Sequence, residues 1–156
     1  MEIGTKLEDF SFVGINKDGE ESTFSLSDFG GQNIVLYFYP KDATPGCTQE
    51  ACDFRDNFNR FSSKAIVIGV SPDSVASHKK FQEKQGLNFI LVSDPEHQIL
   101  EKFGVWGEKS MYGKKYFGVI RSTFLIDKTL TVRDIWLNVK VKGHVDEVLT
   151  ALKKLD

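Results

Sequence analysis

Three short runs in this chain are apolar almost throughout, and stretches with helical spacing separate them. Ile34-Val35-Leu36-Tyr37-Phe38-Tyr39, Ala65-Ile66-Val67-Ile68-Gly69-Val70 and Phe89-Ile90-Leu91-Val92 lack the polar alternation of a half-exposed strand. Runs of that kind predict strands covered on both faces, the habit of parallel sheets flanked by helices. Between them, residues 47–62 place Ala51, Phe54, Phe58 and Phe61 at helical spacing. Residues 74–85 give a more polar helical pattern. Residues 96–103 carry Ile99, Leu100 and Phe103, with Gly104 placed to end the helix.

The flanks complete the pattern. Residues 10–13 and 21–26 surround Asn16-Lys17-Asp18-Gly19, which reads as a hairpin. Residues 120–126 and 131–137 read as two antiparallel strands around Asp127-Lys128. The last helix, 144–155, aligns Val145, Val148, Leu149, Leu152 and Leu155 on one face. Its Asp146 and Glu147 near the start and Lys153 and Lys154 near the end suit the helix dipole. The expected fold is an α/β sandwich in one domain over residues 1–156, long enough to bury a core.

Bulk properties narrow the function. The net charge is -2 and no basic face stands out, which argues against nucleic acid. No apolar stretch approaches the roughly 20 residues that span a bilayer. Residues 1–10 are polar, with Glu2, Lys6, Glu8 and Asp9, unlike a signal peptide. The expectation is a soluble cytoplasmic protein without a membrane partner. The two cysteines, Cys47 and Cys52, are too few for a secreted disulfide scaffold. In a reducing compartment they are reactive, metal-bound or inert.

Parallel strands joined by helices place chemistry at the carboxyl ends of the strands. The first buried run ends at Tyr39-Pro40, so the segment Pro40-Lys41-Asp42-Ala43-Thr44-Pro45-Gly46-Cys47-Thr48-Gln49-Glu50-Ala51-Cys52 is the place to look. Pro40, Pro45 and Gly46 make a rigid, turning loop, and a helix starts at or near Cys47. A cysteine in the first helical turn faces unpaired N–H groups and the positive dipole end, which favour a thiolate. Thr44, three residues earlier, either caps the helix or offers its hydroxyl to a bound substrate, and both roles compete for one oxygen.

The string Pro40-x-x-x-Thr44-x-x-Cys47, with Cys52 five residues on, resembles the active-site pattern of the peroxiredoxins, in particular the bacterioferritin-comigratory or Q-type subfamily. Phe103-Gly104-Val105-Trp106-Gly107-Glu108-Lys109 and Arg121-Ser122-Thr123-Phe124-Leu125-Ile126-Asp127 resemble that subfamily too, and the resemblance covers nearly the whole chain. It implies a thioredoxin-like fold, a central mixed sheet flanked by helices with an N-terminal β-hairpin. It also implies a monomeric thiol-dependent peroxidase that reduces hydrogen peroxide and organic hydroperoxides. By resemblance Cys47 attacks the peroxide, Thr44 orients it, Pro40 shields the thiolate, and Arg121 stabilises thiolate and peroxide. Inside the apolar stretch 119–124, Arg121 reads as more than a surface arginine. Glu50 either holds that arginine or is a first-turn acid favoured by the dipole.

The implied cycle passes through a Cys47 sulfenic acid and an intramolecular Cys47–Cys52 disulfide, reopened by a dithiol reductant such as thioredoxin, with no cofactor and no metal. Five residues along an ideal helix separate two Cα atoms by roughly 8.6 Å, whereas a disulfide tolerates at most about 7 Å. The helix start must therefore unwind in each turnover. Phe54 and Phe58, beyond the mobile turn, are either core or part of the surface the reductant meets. A thioredoxin-type oxidoreductase would want Cys-x-x-Cys, and a metal site finds no ligand spacing between the cysteines and His78, His97 or His144, which read as surface or helix-terminus residues. A non-catalytic holdase would not need Thr44, Cys47 and Arg121 together. Trp106, Met111, Tyr112 and Phe117 form a substrate rim or a packing surface.

Overall fold

A computed structural model describes residues 1–62 and 64–155. Nine strands and five α-helices are formed by the described residues. The strands are β1 (Ser11–Ile15), β2 (Glu21–Ser25), β3 (Asn33–Phe38), β4 (Ala65–Ser71), β5 (Ile90–Ser93), β6 (Trp106–Met111), β7 (Lys114–Val119), β8 (Ser122–Ile126) and β9 (Val132–Leu137). The helices are α1 (Pro45–Asp56), α2 (Phe58–Phe61), α3 (Val75–Gln85), α4 (Gln98–Lys102) and α5 (His144–Lys153).

Seven strands make one mixed sheet in the order β2-β1-β5-β4-β3-β8-β9. The three apolar runs are its centre: β3 pairs parallel with β4, and β4 with β5. The N-terminal hairpin β1–β2 adds antiparallel to β5, and β8 antiparallel to β3. All six residues of β3 are buried, and alternate residues serve opposite faces. Ile34, Leu36 and Phe38 join a cluster with Phe12, Phe103 and Phe124 on the α4 side. Val35, Tyr37 and Tyr39 join Cys47, Ala51, Phe54, Phe81 and Val148, where α1, α3 and α5 pack. Burial on both faces is why these strands read as unbroken apolar runs.

Close packing against α1 needs a gap in β4. A Cβ on Gly69 would come within 2.8 Å of the Tyr37 ring, so glycine there lets Tyr37 lie flat and stack on Phe54, centroids 4.7 Å apart. Phe54 is 1% exposed and fixes the last turn of α1 to the sheet.

Three expectations need correction. The helix expected over 47–62 begins two residues earlier and breaks at Asn57, whose backbone leaves the helical region and whose side chain donates to the Asp53 carbonyl at 2.8 Å. Phe58 consequently leaves the buried face and is exposed. Residues 106–119, read only as a rim or a packing surface, form the β6–β7 hairpin. Trp106 packs partly on the core and stacks on His97, whereas Met111, Tyr112 and Phe117 are exposed. Arg121 does not lie within a strand: it occupies the junction between β7 and β8.

Candidate active site

The loop between β3 and α1 carries Pro40 to Thr44, and α1 opens with Pro45. Proline suits the first helical position because its missing N–H would have no partner there. Cys47 is therefore the third residue of α1, over the first-turn amides. Its side chain is 2% exposed. Arg121 donates from Nη2 to Cys47 Sγ at 3.3 Å, setting a positive charge against the sulfur. The other arm of the same guanidinium donates from Nη1 to Glu50 Oε1 at 2.7 Å. The two readings of Glu50 thus resolve in favour of the arginine contact.

Glu50 is fully buried one turn beyond Cys47. Burial pushes its carboxyl from 4.5 up to about 7, and the Arg121 charge pulls the other way. His144 is also buried, with Nε2 2.7 Å from Thr123 Oγ1. Burial holds that imidazole down to about 4, and the charge of Arg121 acts in the same direction.

Thr44 is the cap residue of α1 by backbone conformation, but its side chain makes no capping bond. Its hydroxyl instead donates to the Lys41 carbonyl at 2.8 Å. The competition foreseen between capping and a free hydroxyl is thereby absent: the Thr44 oxygen keeps its lone pairs for another donor. Thr44 and Pro40 are both half-buried on the loop that precedes Cys47.

Cys52 lies in α1 as well, half-buried, with Sγ 3.7 Å from Gln85 Oε1 at the end of α3. Both thiols are free. The structure therefore brings Arg121 into direct contact with both Cys47 and Glu50. It sets Thr44 on the adjoining loop and holds Cys52 on a later turn of the same helix.

His78, contrary to expectation, is neither on the surface nor at a helix end but buried inside α3, whereas His144 is the first residue of α5, as the helix-terminus reading expected, and is buried as well. His78 Nδ1 lies 2.7 Å from Asp42 Oδ2, inside the loop that leads to Thr44. Neither residue was singled out for function from the sequence. A signal existed, because His78 shares a helix face with Val75, Phe81 and Gln82, where a solvated residue is not expected.

Fold and site together define a thioredoxin-like protein built around a cysteine at a helix start, with an arginine on its sulfur. The chain belongs to the AhpC/TSA family, whose model matches residues 3–135. It is 53% identical over 156 residues to peroxiredoxin Bcp of Bacillus subtilis, covering 99% of this chain and 97% of that protein. It is 45% identical over 140 residues to peroxiredoxin Bcp of Escherichia coli, covering 89% and 88%. Among solved structures, a Cys-to-Ser variant of Xylella fastidiosa PrxQ superposes with a TM-score of 0.89 at 41% identity, covering 99% of this chain and 96% of that one. The bacterioferritin comigratory protein of Xanthomonas campestris, studied for alkyl peroxide reduction, gives 0.85 at 43% identity, covering 92% and 90%. The expected fold and family are thus confirmed. The protein is a peroxiredoxin, a thiol-dependent peroxidase that consumes a hydroperoxide and a thiol reductant. No described helix is long and apolar enough to cross a membrane.

Proposed function

We propose that Cys47 is the peroxidatic cysteine and Cys52 its resolving partner, within a single domain that acts as a cytoplasmic monomer. The observation that carries this reading is the 3.3 Å contact from Arg121 Nη2 to Cys47 Sγ at the start of α1. A cysteine at that helix position, beside a guanidinium, is the setting in which thiols react as nucleophiles.

The Cys47 sulfur attacks one peroxide oxygen in line with the O–O bond. That bond breaks, the leaving oxygen takes a proton and departs as water or an alcohol, and Cys47 becomes a sulfenic acid. Arg121 offers N–H donors to the oxygen that gains charge, and the Thr44 hydroxyl helps to orient the peroxide. Pro40 limits the access of water from the loop side. Cys52 then displaces hydroxide from the sulfenic sulfur, giving a disulfide and water. A dithiol such as thioredoxin returns both thiols by exchange and leaves as its own disulfide. Hydrogen peroxide and organic hydroperoxides both fit this scheme. The alkyl peroxide reduction of the Xanthomonas relative supports the organic class.

Both cysteines lie within α1, so the geometric demand stands. The two Cα atoms of an intact helix are roughly 8.6 Å apart at this spacing, beyond the reach of a disulfide. The first turns of α1 unwind between the two steps.

The test is an intact-mass and free-thiol assay on reduced protein given one equivalent of hydrogen peroxide, beside Cys52→Ser. Rapid loss of both thiols and of two hydrogens in the parent, with a trappable sulfenic acid in the variant, is the expected result. Slow, unselective oxidation of both proteins would overturn the assignment.

A further inference from the structure

The loop that carries Thr44 is anchored by a buried polar lattice that does not include α1. Asp42 is only 6% exposed, and both of its carboxylate oxygens are occupied. Tyr39 donates its hydroxyl to Oδ1 at 2.6 Å, and Ser77 donates to Oδ2 at 2.8 Å. His78, fully buried on α3, faces Oδ2 through Nδ1 at 2.7 Å. Its Nε2 lies 2.9 Å from the Val92 carbonyl on β5. A carbonyl can only accept, so Nε2 carries a hydrogen and Nδ1 is the ring nitrogen turned to Asp42. The Asp42 amide donates to Asp73 Oδ2 at 2.8 Å, and the Ser71 hydroxyl donates to the same oxygen at 2.6 Å. Asp42, Asp73 and His78 are close enough together to suggest a cation site. The oxygens facing one another already accept from Tyr39, Ser71, Ser77 and the Asp42 amide, so the cluster is a hydrogen-bond lattice.

The anchored loop holds a costly conformation. Ala43, between Asp42 and Thr44, has φ 63°, a left-handed value unfavourable for a residue with a Cβ. Such a turn persists where its neighbours are pinned, and Asp42 is pinned by four groups.

We propose that His78, acting through Asp42, is a positioning residue for the peroxide-binding half of the site. It ties the Lys41–Thr44 loop to α3 and β5, so that the Thr44 hydroxyl keeps its place while α1 unwinds and rewinds beside it. The inference rests on the roles given above to Cys47 and Thr44. It assigns the two chemical steps to separate supports: peroxide attack depends on the lattice, whereas disulfide closure depends on α1 and Cys52.

Single-turnover kinetics on the full chain separate those steps. Sulfenic acid formation is followed against hydrogen peroxide, and disulfide closure is followed afterwards. His78→Gln can still reach the Val92 carbonyl but loses Asp42. It is expected to slow sulfenic acid formation at least about tenfold, as a small misplacement of a reacting group does, with closure within about twofold of the parent. His78→Asn places a donor near the Nδ1 position and is expected to recover most of the loss. Should His78→Gln not fold, Ser77→Ala removes one Asp42 donor from a half-buried position and is expected to slow the same step about threefold. Normal sulfenic acid formation in the variant that folds, or equal slowing of both steps, would overturn the proposal. Thr44→Val, measured alongside, keeps the two readings apart. If it is slow while His78→Gln is normal, only the role of His78 fails. If Thr44→Val is itself normal, the role of Thr44 fails and this inference fails with it.

Discussion

Arg121 divides its planar fork between two partners, Cys47 Sγ at 3.3 Å and Glu50 Oε1 at 2.7 Å. A lysine carries the same charge but presents it as one compact point, which cannot meet both groups in the guanidinium geometry. Arg121→Lys is therefore expected to lower the second-order rate constant with hydrogen peroxide about a hundredfold, the scale of losing one aimed donor at a developing charge. Stopped-flow oxidation of the reduced protein measures it, and a rate close to that of the parent would show that charge alone suffices. At this scale the residues by themselves were informative about types, and the contact between Arg121 and Cys47 was expected only through the family resemblance. Pro40, Thr44, Cys47 and Cys52 sit in one readable string. Arg121 is 74 residues from Cys47, and only the packing of the β7–β8 junction over α1 joins them.

Helix α1 is pulled in two directions. Phe54 locks its last turn against Tyr37 and Phe89, while the Cys47–Cys52 spacing requires its first turns to open. Phe54→Ala is expected to destabilise the fold by about 3–5 kcal/mol, the usual cost of emptying a buried aromatic site. Urea unfolding of the reduced protein measures that loss. The oxidised parent should show faster amide exchange over residues 46–54, with β3 and β4 unchanged. Equal protection in the two redox forms would contradict unwinding. The end of α1 was less legible than its start. Periodicity continues through Phe58 and Phe61 in the sequence, yet the Asn57 side chain satisfies the Asp53 carbonyl and ends the helix there. The β6–β7 hairpin went unread because its strands expose most residues on both faces, so no apolar alternation marks them.

Across the whole molecule, two buried groups near Arg121 bias stability in opposite directions over nearly the same pH range. Glu50 has its carboxyl raised to about 7, so the native state holds a proton that the unfolded chain has lost, and stability falls as pH rises from 4.5 to 7. His144 is lowered to about 4, so the unfolded chain holds the extra proton, and stability falls as pH drops from 6.5 to 4. The two nearly cancel between pH 4.5 and 6.5. Relative to the parent, Glu50→Gln should gain stability with rising pH across that range, by on the order of 2 kcal/mol. His144→Gln should lose a similar amount. Denaturant midpoints at pH 4.5 and 6.5 decide, and parallel profiles for all three proteins would refute the assignment. The sequence by itself determined the sheet centre, the order of elements and the loop where chemistry sits, because periodicity and turn residues are local properties of the chain. Tertiary structure alone decided that His78 and His144 are buried and that Asp42 is pinned from α3 and β5, and it gave the Arg121 contact expected through resemblance its geometry, shared between Glu50 and Cys47. Those contacts join residues far apart along the chain, and their energies depend on desolvation and on distances that exist only once the sheet and helices have packed.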